Sequence, residues 1–119
     1  MNLNNTSSGV RELNSDEIPG EKSDMNLLKW LEGWYKSNCD GYWEHSYGVK
    51  IETLDNPGWG VRIKLVDTEL EGKCFETLKI ERTDDNWVYC KVKDNVFQGA
   101  GGPENLEEIL KIFKAWTSN

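Results

Sequence analysis

The spacing of the apolar residues changes from a helical period to a strand period near residue 40, and this change limits what the chain can fold into. Over residues 25–38 the apolar side chains recur every three or four positions, which predicts an amphipathic helix. Over residues 43–51 and 59–65 they alternate with polar residues, as in strands with one buried face. The intervening Asp55-Asn56-Pro57-Gly58 predicts a hairpin whose type II turn is centred on Pro57 and Gly58.

Two further alternating segments, residues 74–82 and 87–93, predict a second hairpin. In this register Cys74 and Cys90 lie on the inner, apolar face. Two large aromatic residues lie on the outer face instead: Trp87 and Tyr89. Such rings suit a dimer contact, a contact with another protein, or packing against the flank of a terminal helix, so the oligomeric state stays open.

A second amphipathic helix closes the chain, with Phe113 and Trp116 on its apolar stripe. The preceding Gly99-Ala100-Gly101-Gly102-Pro103 is predicted to be a flexible turn, because it lacks the Lys and Ser or Thr of a phosphate-binding loop. Each terminal helix must bury its stripe, and a four-stranded antiparallel sheet offers the surface. We therefore predict an α+β fold with the order α-β-β-β-β-α.

The polar composition of residues 1–24 sets them apart from the rest of the chain. With so few apolar side chains this segment cannot offset the entropy cost of ordering, and it is predicted to be a flexible leader. Residues 25–119 are predicted to form a single domain, since their length suits one modest core.

The formal net charge of −7 disfavours nucleic acid as a ligand and favours a basic protein partner. No apolar run is long enough to span a bilayer, so no membrane association is expected. The three cysteines lack the dense spacing of a secreted disulfide framework. We therefore expect a cytoplasmic protein with free thiols.

Cys39 and His45 are the one neighbouring pair that a thiol enzyme could use. The anions beside them, Asp40 and Glu44, disfavour a reactive thiolate. The three cysteines and His45 also add up to a zinc ligand set, but no Cys-x-x-Cys spacing is present. We expect no catalytic residue, no cofactor and no metal.

One long segment, WYKSNCDGYWEHSYGVKIETLDNPGW at residues 34–59, closely resembles the immunity protein 53 family of bacterial polymorphic toxin systems. The following Val61-Arg62-Ile63, Phe97-Gln98-Gly99 and the closing helix through Phe113 are also similar to that family. The resemblance covers roughly residues 27–116. It implies a small cytoplasmic antitoxin that binds the C-terminal domain of a cognate toxin and blocks it without chemistry of its own.

An acidic surface with aromatic residues could cover the basic cleft of a nuclease toxin, because carboxylates can imitate phosphates and steer association. Six residues are expected to line or flank this toxin-facing surface: Asp40, Tyr42, Glu44, His45, Asp55 and Asn56. Two alternatives stay open. One is a thiol or sulfur-transfer enzyme centred on Cys39, and the other is a general interaction module whose partner is not a toxin.

Overall fold

The computed structural model describes residues 22–119, with side chains from residue 26 onward. Its elements in chain order are α1 (Lys22–Asn38), α2 (Trp43–Ser46), β1 (Val49–Leu54), β2 (Gly58–Lys64), β3 (Leu78–Thr83), β4 (Asn86–Lys93), β5 (Val96–Gly101) and α3 (Leu106–Thr117). The predicted α+β class and both terminal helices are confirmed, but the sheet has five strands rather than four. Most of the expected leader, residues 1–21, lies outside the described part, and residues 22–24 belong to α1.

The sheet is antiparallel throughout, with the strand order β1-β2-β5-β4-β3. Apolar side chains of α1 and α3 form one buried core with the inner side chains of β2, β4 and β5. Both long helices therefore cover the same face of the sheet. The opposite face carries none of the described helices.

β5 lies at the centre of the sheet, where the sequence predicts a flexible turn. Gly99 pairs with Val61 of β2 on one side and with Cys90 of β4 on the other. A Cβ atom on Gly99 would overlap Cγ2 of Ile109 in α3, so the glycine lets this helix approach the sheet closely. The prediction was wrong because glycine has a low strand propensity, which its packing role here overrides.

Aromatic rings connect the two long helices to the sheet. The ring centroid of Phe113 in α3 lies 5.2 Å from that of Trp34 and 5.8 Å from that of Trp30, both in α1. On its other side Phe113 lies 5.0 Å from Phe97 of β5. Phe97 also stacks on Trp116, which extends the cluster toward the end of α3. The core is therefore held by α3, which contacts both α1 and the central strand.

The first hairpin begins later and turns differently than predicted. Residues 43–46 form the short helix α2, so the strand starts at Val49. Leu54 pairs with Gly58, which makes residues 55–57 the connection and places Gly58 inside β2. The predicted type II turn centred on Pro57 and Gly58 is therefore wrong.

The second hairpin keeps the predicted register in β4, where Cys90 is fully buried on the inner face. The inward position predicted for Cys74 is wrong, because β3 begins only at Leu78 and Cys74 is exposed in the loop before it. The same loop still contributes to the core: Leu70 is buried, and the Phe75 ring packs edge-on against neighbouring aromatic rings.

Replacing Gly99 by Ala is expected to lower the free energy of unfolding by about 1–3 kcal/mol, because the added methyl group overpacks the contact with Ile109. Gly33→Ala is the matched control. It lies inside α1 with nothing within 4 Å of the added Cβ, so it should stabilise the protein by about 0.5–1 kcal/mol. Urea unfolding of the two variants measures both values, and equal midpoints would contradict the close approach of α3 to β5.

Candidate functional site

The segment between α1 and β1, residues 39–47, is called the α2 loop, and two carboxylates hold its shape. Asp40 Oδ1 accepts hydrogen bonds from the backbone N–H groups of Tyr42 at 2.9 Å and Trp43 at 3.0 Å. Glu44 reaches back and accepts from the N–H groups of Asp40 at 2.9 Å and Gly41 at 2.8 Å. This reciprocal arrangement resembles a capping box. It explains why a helical turn replaces the strand that the alternating pattern predicts.

These hydrogen bonds lower the pKa values of both carboxyl groups. For Asp40 the largest cause is the N–H of Trp43, followed by that of Tyr42. For Glu44 the largest cause is its own backbone N–H, and the amides of Asp40 and Gly41 add to it. N–H donors favour the charged form of a carboxyl group, so both side chains are ionised at neutral pH. Their first role is to fix the backbone of the α2 loop.

Trp43 anchors the α2 loop to the core. Its ring is 2% exposed and its Nε1 donates a hydrogen bond to the carbonyl oxygen of Val66 at 2.9 Å. Two neighbours of this anchor face solvent: Tyr42 is 82% exposed, and His45 is also exposed. A large aromatic side chain held in water on a fixed backbone is available for a protein contact at a small entropy cost.

Asp55 and Asn56, the other two predicted site residues, are exposed in the turn between β1 and β2. β1 has six residues and rises about 3.3 Å per residue, so its two ends lie roughly 17 Å apart, with the α2 loop before the first end and this turn after the second. The structure therefore brings together Asp40, Tyr42, Glu44 and His45 but separates them from Asp55 and Asn56. The two groups lie at opposite ends of one strand.

β1 is an edge strand, and its free edge joins the two groups. Lys64 donates its backbone N–H to the carbonyl of Gly48 at 3.0 Å, which marks these two residues as a hydrogen-bonded pair. Because such pairs alternate along an antiparallel ladder, the backbone groups of Val49, Ile51 and Thr53 point away from β2. An edge of this kind can accept a strand from another chain.

An apolar groove of about 360 Å³ runs between α1 and the start of β1. Its lining combines one acidic residue with apolar and aromatic ones: Leu31, Glu32, Tyr35, Tyr47, Gly48 and Val49. Leu28 and Ile51 are also exposed large apolar residues, at 58% and 39%. The spacing of apolar residues in the sequence does not predict this groove. The alternating pattern placed Ile51 on the inner face, but the pattern does not show whether a helix reaches far enough to cover the first strand.

The cysteines do not form the pair or the metal set considered from the sequence. The thiol of Cys39 is hydrogen-bonded to the carbonyl of Tyr35 at 3.3 Å, one turn back in α1. No hydrogen bond links Cys39 to His45 in the described part of the chain. Over residues 22–119, no group of His, Cys, Asp and Glu side chains has the arrangement of a metal site.

The comparison with known families decides what kind of protein this is: the model of immunity protein 53 matches residues 28–118. The chain belongs to the immunity protein 53 family. Membership implies a protein partner, namely a toxin, and agrees with the resemblance of residues 34–59. No curated protein and no solved structure matches this family member. None of its described helices has the length and apolar character needed to cross a membrane.

Removing the carboxylates of the α2 loop is expected to destabilise this immunity protein in a pH-dependent way. The folded-state pKa values of Asp40 and Glu44 lie below those of the unfolded chain. Their contribution to stability is therefore present above the unfolded values, about pH 4, and is lost as the pH falls through the lower folded values. Asp40→Ala and Glu44→Ala should lower the melting temperature at neutral pH, and the difference from the unmodified protein should shrink on acidification.

Asp55→Ala is the control for these two variants, because no hydrogen bond of the Asp55 carboxylate occurs within the described residues. Thermal unfolding followed by circular dichroism from neutral to acidic pH measures the three differences. A deficit of Asp40→Ala that does not shrink as the pH falls below about 4 would mean that its carboxylate does not carry the effect.

Proposed function

We propose that this protein is an antitoxin of a polymorphic toxin system, which binds the C-terminal domain of its cognate toxin in the bacterial cytoplasm and blocks it without catalysis. The observation that carries the proposal is the match to the immunity protein 53 family over residues 28–118. The α2 loop supports it, because it holds exposed polar and aromatic side chains on a backbone anchored by Trp43.

In this proposal the toxin lies along the free edge of β1 and contacts both of its ends. A standard interface buries about 800 Å² on each partner, which corresponds to a patch roughly 30 Å across. The spacing of roughly 17 Å along β1 fits within such a patch. A single toxin domain can therefore reach Tyr42 and His45 at one end and Asp55 and Asn56 at the other.

The apolar groove between α1 and β1 supplies the centre of the proposed interface. Binding energy is concentrated where aromatic and apolar residues lose all contact with water, and polar residues form the rim. The groove residues Tyr35 and Tyr47 lie beside the start of β1, next to the exposed side chains of the α2 loop. The free backbone groups of Ile51 and its neighbours can pair with an extended segment of the toxin.

The charge of the α2 loop and of the β1–β2 turn favours a basic toxin surface, as in a nuclease cleft. Asp40 and Glu44 keep their negative charge while they hold the loop, and Asp55 adds an exposed carboxylate at the other end of β1. The net charge of −7 adds a long-range attraction that increases the association rate.

The first experiment is co-expression with the toxin domain encoded next to this gene, followed by co-purification and calorimetry. One-to-one binding together with protection of cells is the expected result. A folded protein that neither binds nor protects would overturn the proposed function.

Tyr42→Ala is then expected to weaken toxin binding by about 30-fold, the effect of removing a hot-spot side chain of about 2 kcal/mol. Its melting temperature should not change, because the side chain is 82% exposed. An unchanged affinity would remove the α2 loop from the toxin-facing surface.

Asp55→Lys tests the other end of β1. It should reduce affinity by about 10-fold or more through charge repulsion with a basic toxin surface. Asp84→Lys is the matched control, since it makes the same charge change in the β3–β4 turn at the opposite edge of the sheet. Equal affinities of the two variants would mean that the toxin does not cover the β1–β2 turn.

A further inference from the structure

The face of the sheet that points away from α1 and α3, called the open face, has an uneven distribution of charge. Side chains alternate along a strand, and directly paired residues point to the same face. The buried residues Val61, Phe97 and Cys90 point toward the helices. The residues that precede and follow each of them along its strand therefore point to the open face. The open face carries these residues from one edge to the other: Lys50, Glu52, Leu54, Gly60, Arg62, Lys64, Val96, Gln98, Ala100, Trp87, Tyr89, Lys91, Lys93, Lys79 and Glu81.

Half of the open face contains cations and no acids. Lys50, Arg62, Gln98 and Lys91 form one row across four strands, and Lys64, Val96 and Lys93 form the next row. We call these two rows the cationic half. Four of its five cations are exposed and Lys91 is half-buried. The nearest ion pair on the same face is a long one, at 4.0 Å between Lys50 and Glu52.

This arrangement is unfavourable for the isolated protein. Lys50 and Arg62 are direct cross-strand partners, and like charges in such a position destabilise a sheet. Lys64 and Lys93 repeat the same sign on either side of Val96. A protein with a net charge of −7 has enough acids to alternate the signs here. Glu52 compensates Lys50 only at 4.0 Å, and no ion pair of Arg62, Lys64 or Lys93 occurs among the described residues. Local violations of this kind are typical of functional surfaces.

The other half of the open face offers an apolar depression beside the cations. Its volume is about 290 Å³, and its floor is formed by Gly60 and Ala100. Leu54 and Tyr89 line it, together with Glu52 and with Arg62, Lys91 and Gln98 of the cationic half. Tyr89 is 38% exposed. The Lys91 ammonium lies 5.8 Å from the Tyr89 ring, so the aromatic and cationic parts are in contact. Arg62 and Tyr89, which border this depression, belong to the residue types enriched in protein-binding patches.

We infer that the cationic half binds an acidic surface of a partner protein, and, resting on the proposed function, that this partner is the toxin domain. A protein ligand is favoured over nucleic acid because the rest of the chain is acidic and because Glu52 and Glu81 lie on the same face. A symmetric dimer in which the two cationic halves overlap would place cations against cations, so that arrangement is disfavoured.

The cationic half is continuous with the α2 loop. A shallow depression lined by Ser46, Tyr47 and Gly48 of the loop also contacts the side chains of Arg62 and Lys64. A toxin bound at Tyr42 and His45 therefore reaches the cationic half without a gap. The inferred toxin surface therefore carries both signs of charge. It is basic where it faces the carboxylates of the α2 loop and acidic where it faces the cationic half.

The test compares two double variants that each change the net charge by the same amount. The open-face variant, Arg62→Glu with Lys91→Glu, reverses the charge on both sides of Gln98. The α1 variant, Lys29→Glu with Lys36→Glu, reverses the charge of two exposed side chains of α1. Long-range repulsion is equal in both, so a difference in affinity reports local contact. The open-face variant should bind the toxin domain about 10–100-fold more weakly than the α1 variant, and added salt should reduce the difference. Equal affinities of the two double variants would overturn the inference while leaving the proposed function intact.

If the unmodified protein does not bind that toxin domain, the proposed function is rejected. A second measurement then still tests whether the cationic half binds an acidic protein surface. Amide NMR shifts of the folded protein are recorded with a short oligoglutamate peptide and with single-stranded DNA of equal charge. Peptide-induced shifts confined to β2, β4 and the start of β1 support an acidic protein ligand. Tighter binding of the DNA, or no response to the peptide, overturns it.

Discussion

The packing of the Phe113 ring between α1 and β5 is the contact on which the rest of the structure depends. Phe113 meets Trp34 edge-on at 5.2 Å and Phe97 at 5.0 Å, so one residue of α3 links the first helix to the central strand. The link requires that α3 lie close to β5, and Gly99 makes this possible. Burial of both helices on one side of the sheet follows from this single line of contacts.

One-sided packing determines where a partner can bind. Because α1 and α3 cover one face, the described part of the chain, residues 22–119, has an uncovered face, an unpaired β1 edge and a groove where α1 stops short of that edge. The α2 loop lies where these three features meet. Its position is set by Trp43, whose ring is buried while the residues around it stay in solvent. The surface proposed for toxin binding in this immunity protein 53 family member thus follows from how its core is filled.

Periodicity predicted the parts of the fold in which side-chain burial dominates. The stripe of α3 and the inner positions of β4 are examples, since Phe113 and Cys90 are fully buried as expected. It failed for β5, where Gly99 is selected by the space beneath Ile109 and not by strand propensity. It failed again for α2, because hydrogen bonds from backbone amides to Asp40 and Glu44 outweigh the alternating pattern.

The candidate site was predictable as a set of exposed residues but not as a shape. Sequence placed Asp40 and Asp55 near the two ends of a strand, and the structure shows the same separation. The groove between α1 and β1 and the like-charged rows on the open face depend on strand order and on the reach of α1. The local spacing of residues predicts neither the groove nor the charged rows, because both arise from pairing between distant segments such as β2 and β5.

The central position of β5 also sets the order in which the chain can complete its fold. β1 and β2 are adjacent in sequence, and β3, β4 and β5 form a second local unit that joins the first through the β2–β5 pair. During synthesis, the first hairpin leaves the ribosome before the strand that completes its ladder and before the helix that covers its apolar side. Long-range pairing of this kind is slow compared with hairpin formation. We therefore expect the nascent chain to acquire its binding surface in one late step, after α3 has emerged.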